Sequence, residues 1–131
     1  MVLAQPLTKS VLIVEDNDVE RIGLATLLRQ HGFAARELRP GEDIIERVRA
    51  EQPGVILLDM MLGGHGEDGW QVLAALRARP DVARVPVLIV TGLGIASAEW
   101  ARSMGAAGLI RKPINSEELF AKLHHYLPTE A

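Results

Sequence analysis

Apolar residues gather in short unbroken runs along this chain, separated by stretches where they recur every three or four positions. Val11 to Val14 in "VLIVEDND", Val55 to Leu58 in "GVILLDMM" and Val87 to Val90 in "VPVLIVTG" are continuous and rich in β-branched residues. Such runs predict strands covered on both faces. "FAAREL" and "GLIRKP" predict two further strands, the second cut short by Pro113. Between the runs the spacing is helical. A helix is predicted to open at Asp18, with Leu24, Leu27 and Leu28 on one face and Gly32 as its stop. "GEDIIERVRAEQ" carries Ile44, Ile45 and Val48 on one side and ends at Pro53-Gly54. "WQVLAALRA" predicts a helix ending near Pro80, and "SAEWARSMGA" a short one closed by Gly105. In "NSEELFAKLHHYL", Asn115 precedes Glu118 by three positions, a spacing close to a capping box, and Leu119, Phe120, Leu123 and Leu127 form the inner face.

Strand–helix therefore repeats five times. That alternation predicts an α/β fold, a doubly wound five-stranded parallel sheet with five helices on its two faces. The elements fill residues 9–128 as one domain, leaving 1–8 and 129–131 as tails. A chain of 131 residues suits a single domain with one sizeable core.

Composition narrows the function. A net charge of −3 argues against direct nucleic-acid binding, which usually goes with a basic domain. The absence of cysteine excludes disulfides, thiol catalysis and Cys-based zinc sites. "MVLAQPLTKS" does not read as a targeting signal, and no apolar run approaches the roughly 18 residues of a membrane span. The expectation is a cytoplasmic protein with no membrane association.

In open parallel sheets ligands bind beyond the carboxyl ends of the strands. Here the first strand ends in Glu15 and Asp16, the third in Asp59, the fourth in Thr91 and Gly92, and the fifth in Lys112 and Pro113. Each has a plainer reading by itself. Glu15, Asp16 and Asp18 could cap a helix, Asp59 could be a turn acid, Thr91 could bond its own turn, and Lys112-Pro113 could be a loop. Together they bring carboxylates, a hydroxyl and an ammonium to one edge. Converging carboxylates repel, and a hard divalent cation such as Mg²⁺ relieves that repulsion. The set suits phosphoryl transfer to a carboxylate nucleophile. The glycines behind Asp59 (Gly63, Gly64, Gly66 and Gly69) would let that loop approach the metal.

"VLIVEDND", "VILLDMM", "VPVLIVTG" and "GLIRKP", in this order and spacing, resemble the receiver domain of bacterial two-component response regulators, over about residues 9–128. The resemblance is to the stand-alone, CheY-like type. It implies a flavodoxin-like sheet of strand order 2-1-3-4-5. It implies that Asp59 accepts a phosphoryl group from a sensor histidine kinase or a histidine phosphotransfer protein. Mg²⁺ would be held by Asp16, Asp59, the Met61 carbonyl and Glu15, the last directly or through water. Lys112 would pair with Asp59 and then with the phosphoryl group, Thr91 would bond a phosphoryl oxygen, and the Lys112–Pro113 peptide would be cis. Such a protein is a switch acting on a downstream protein partner and catalysing its own modification, not a metabolic enzyme. Homodimerisation is left open.

Three features depart from the family pattern. Gly63 stands where a proline is usual, the loop from Asp59 to Gly69 is about two residues longer, and Leu109 replaces an aromatic that often couples to the Thr. They leave room for an alternative, a pseudo-receiver that binds partners without phosphorylation. Gly92-x-Gly94 fits a dinucleotide fingerprint poorly, since Ser97 replaces its last glycine. Met61 stands where an aspartate-nucleophile phosphatase wants a second acid. His65 reads as a solvated loop residue, His124 and His125 as complements to a helix dipole, and Trp70 and Trp100 as packing residues, with Trp100 also a candidate partner anchor.

Overall fold

The structure is a computed structural model, and it describes residues 10–39, 42–60 and 69–127. Five strands and five helices alternate: β1 (Val11–Val14), α1 (Asp18–Gln30), β2 (Ala35–Leu38), α2 (Ile44–Glu51), β3 (Val55–Asp59), α3 (Gly69–Arg77), β4 (Val87–Thr91), α4 (Ala98–Ser103), β5 (Gly108–Arg111) and α5 (Ser116–Tyr126). The strands form one parallel sheet in the order β2-β1-β3-β4-β5. The alternation and the order expected from the sequence are both present.

Four helices begin on a side chain that accepts a hydrogen bond from a backbone N–H otherwise left over in the first turn. Asn17 accepts from Glu20, Asp43 from Ile45 and Glu46, Ser97 from Trp100, and Asn115 from Glu118. The second helix stops one residue before its predicted Pro-Gly, on Gln52 in the left-handed region at φ 47°.

Alternate residues of the strands feed two cores. Leu12, Val14, Ile56, Leu58, Val87 and Ile89 pack with residues of α2, α3 and α4. Val11, Ile13, Val55, Leu57, Leu88, Val90 and Ile110 pack with Leu28 of α1 and Leu119 and Leu123 of α5. All five residues of β3 and of β4 are buried, which is why these segments read as unbroken apolar runs. Each fully buried Leu or Ile contributes roughly 2–3 kcal/mol through removal from water. Register then places the chemistry: Asp59 lies opposite Val90, and Thr91 opposite Arg111. The carboxyl ends of β1, β3, β4 and β5 therefore form one edge. Among the described residues no helix is long and apolar enough to cross a membrane.

Candidate active site

That edge gathers the acids. Asp59 is the last residue of β3 and is 5% exposed; Glu15 follows β1 directly and is 8% exposed. Lys112 enters from the end of β5, where its backbone N–H donates to the Thr91 carbonyl at 2.8 Å. Its Nζ donates to Asp59 Oδ2 at 3.2 Å, Glu15 Oε1 at 3.1 Å and Glu20 Oε1 at 3.0 Å. Burial alone would depress this ammonium. The bonds to Glu20 and Glu15 and the charge of Asp59 outweigh that and hold its pKa above the ordinary value. Lys112 is thus a fixed cation.

One ammonium does not neutralise this cluster. The Glu15 carboxyl is raised to about 7, first by burial and then by its hydrogen bond to Asp59 and the negative charge there. Beside it, Asp16 Oδ2 is buried with no hydrogen-bond partner among the described residues. A buried carboxylate oxygen without a donor is costly unless a cation or water meets it. Orphaned oxygen and crowded acids fit a hard cation. The described side chains do not close a three-ligand cage. That suits Mg²⁺, which takes few protein ligands and retains waters.

Thr91 is fully buried at the end of β4, and its Oγ1 accepts from the Leu93 N–H at 3.1 Å. The hydroxyl hydrogen remains available to donate. Gly92 leaves room beside Lys112: a Cβ there would sit 3.8 Å from the Lys112 Cβ, an ordinary contact. The Lys112–Pro113 peptide is cis. Leu109 packs half-buried against the core under α4. Met61, Gly63, Gly64, His65 and Gly66 lie outside the described residues. Gly69 is described and serves a different end from the one expected of it. It starts α3, donates to the Met60 carbonyl at 3.1 Å, and a Cβ on it would lie 2.7 Å from Met60 Cα. Its lack of a side chain lets the helix sit against the strand that carries Asp59.

Two residues escaped the sequence reading. Glu20 meets Lys112 across a separation of 92 residues. Its only sequence signal is its place four residues after Asp16, in the first turn of a helix that starts at the acids. Arg111, next to Lys112, donates to the carbonyls of Leu93 at 2.9 Å and of Ala96, which ties β5 to the loop after Thr91. Trp100 is half-buried against the core and packs edge-to-face with Trp70 at 4.5 Å between ring centroids.

Paired acids, a strand-end Asp and a Lys reaching it from the last strand thus share one edge of a doubly wound parallel sheet. The sequence model of the response regulator receiver domain matches residues 11–124, and the chain belongs to that family, the receiver domains of two-component signalling. Protein PilH of Pseudomonas aeruginosa is 29% identical over 118 residues, covering 89% of this chain and 96% of PilH. The structure of chemotaxis protein CheY4 of Vibrio cholerae superposes with a TM-score of 0.77 at 24% identity, over 92% of this chain and 99% of that one. The receiver domain of sensor histidine kinase PA1611 from Pseudomonas aeruginosa superposes with a TM-score of 0.73 at 24% identity, over 91% of this chain and 97% of that one. That structure has a magnesium ion coordinated in its active site cleft.

Proposed function

We propose that this chain is a single-domain response regulator whose Asp59 accepts a phosphoryl group from a phosphohistidine donor, with Mg²⁺ bound by Asp16, Glu15 and Asp59 and with the Met61 carbonyl as a further ligand. The reading rests on one observation: Lys112 reaches Asp59 at 3.2 Å on the edge where Glu15 and the orphaned Asp16 oxygen also lie.

An Asp59 carboxylate oxygen attacks phosphorus; the P–O bond forms as the P–N bond to the imidazole breaks, and the ring nitrogen leaves with the electron pair. Bound Mg²⁺ supplies charge neutralisation to the phosphoryl oxygens. Lys112 exchanges its carboxylate partners for a phosphoryl oxygen. Thr91 donates its hydroxyl hydrogen to another while still accepting from Leu93. The phosphoryl group adds about −1.5 to −2 charge at pH 7. Lys112 and Thr91 enter from the ends of β5 and β4, so their new bonds act on the loops leading to α4 and α5. The downstream protein contact is assigned to the surface of α4, β5 and α5.

A groove of about 310 Å³ along α1 and the segment after β5, lined by Val19, Gly23, Leu24, Leu27, Pro113 and Ile114, supports an approach for the donor. It shares Glu20, Leu24, Lys112 and Ile114 with the small cavity over Asp59. Val19 is 81% exposed at its rim. A histidine protein seated there would bring its phosphorus to Asp59. Val19→Gln is expected to slow transfer from a phosphorylated histidine protein by about five- to tenfold, the loss of one good apolar contact. The rate with acetyl phosphate, which needs no docking, is expected to stay unchanged. Equal effects with both donors, or no transfer to the wild type from either, would refute the reading.

A further inference from the structure

The acids that would hold the cation are carried by a loop of only three residues, Glu15 to Asn17, between β1 and α1. One side chain braces this loop from below. Arg21 is 4% exposed, among the few buried charged residues described. Its Nη1 donates to the Glu15 carbonyl at 3.1 Å, its Nη2 to Asp18 at 2.6 Å, and its Nε to Glu37 of β2 at 3.1 Å. Every nitrogen of the planar fork is thus used, and each reaches a different piece of the chain: the loop, the start of the helix and the edge strand. Glu37 is itself held by Arg29, which also donates to the Ala35 carbonyl. On the far side, the Asn17 N–H donates to Glu15 Oε2 at 3.1 Å. Asp16 is fixed between these two anchored neighbours, and its Oδ2 is buried without a partner among the described residues.

We infer that Arg21 is a positioning residue for the cation: its guanidinium ties the Glu15 carbonyl to β2 and so sets where the Asp16 and Glu15 carboxylates point. The inference rests on the reading that these acids bind Mg²⁺. It gives Arg21 a role that runs against its charge. A buried positive group close to a cation site repels the cation, so deleting it for electrostatic reasons alone would tighten binding. Deleting a brace weakens binding instead, as loss of a residue that orients metal ligands typically does, by about tenfold or more. The sign of the effect separates the two.

The test is a Mg²⁺ titration of the thermal midpoint, which reports apparent affinity because only the folded protein binds the ion. Wild type, Arg21→Met and Glu37→Gln are compared, each well below its midpoint when affinity is checked by calorimetry. Glu37→Gln weakens the same buried network but keeps an acceptor for Arg21 and leaves the bond to the Glu15 carbonyl, so it controls for stability. Arg21→Met is expected to weaken Mg²⁺ binding about tenfold, while Glu37→Gln stays within about threefold of wild type. If Arg21→Met does not fold, Arg21→Gln serves the same comparison. Unchanged or tighter binding in the Arg21 variant would overturn the inference and leave the cation site standing. Absence of any Mg²⁺ effect on the wild type would overturn the cation site and the inference with it.

Discussion

Lys112→Met is expected to slow phosphoryl transfer to Asp59 by about two orders of magnitude, the usual cost of removing a preorganised charge from a site where negative charge gathers. Lys112 donates to Asp59 and contacts Glu15 and Glu20 at the same time. Methionine keeps the stem and removes the charge. The resting protein also loses the counter-ion of an acidic cluster. Lys112 is a quarter exposed, so solvent screening reduces the penalty to about 1–3 kcal/mol. Mg²⁺ should recover part of that loss, since it meets the same carboxylates. The check is the rate of phosphorylation by acetyl phosphate together with melting curves with and without Mg²⁺. A rate within threefold of wild type would remove Lys112 from the chemistry.

Gly69→Ala is expected to damage the site without touching any charge. The added Cβ would meet Met60 Cα and Sδ at 2.7 Å and the Asp59 carbonyl oxygen at 2.8 Å. The sulfur can swing away; the backbone atoms cannot. Either α3 lifts off or the end of β3 moves, and overpacking of this kind costs typically about 1–3 kcal/mol. Displacement of the acceptor by a fraction of an ångström is expected to slow phosphorylation by about tenfold. Gly23→Ala is the matched control. Its Cβ meets nothing within 4 Å inside α1, so alanine there should stabilise by about 0.5–1 kcal/mol. Melting curves and rates of phosphorylation by acetyl phosphate, which does not use the groove that Gly23 lines, decide it. Equal behaviour at both positions would show that the contact at Gly69 does not matter.

Much of the fold was legible because β1, β3 and β4 are buried on both faces and so appear as unbroken apolar runs. The start of α5 was legible from Asn115, whereas α1 is capped by Asn17 and not by Glu15, Asp16 or Asp18, the acids around it that could have served. The edge strand β2 was faint, since Arg36 is exposed and Glu37 half-exposed, and its pattern lacks a continuous run. For the site, listing strand ends sufficed to collect Glu15, Asp16, Asp59, Thr91 and Lys112, because a parallel sheet brings all carboxyl ends to one side. What stayed hidden depends on which strands are neighbours. The approach of Glu20 to Lys112 and the reach of Arg21 to Glu37 follow from strand order and helix placement, which local periodicity does not encode. Gly69 was legible as a glycine of a loop, but its close approach to Met60 is a property of packing.

In the proposed switch, Leu109 in place of an aromatic would change the route of transmission and leave the acceptor chemistry untouched. Leu109 is half-buried against the core under α4, while Arg111 two residues on holds the loop after Thr91 by two carbonyls. The connection between β5 and the loop that follows β4 is therefore polar in this chain.

The most direct measurement is intact mass after incubation with Mg²⁺ and acetyl phosphate, followed by incubation with a phosphorylated histidine protein, for wild type beside Asp59→Asn. The expected result is a gain of one phosphoryl group in the wild type alone, abolished by a chelator. No gain with either donor, or an equal gain in Asp59→Asn, would contradict Asp59 as acceptor; the first of these would leave a receiver fold that binds its partners without phosphorylation.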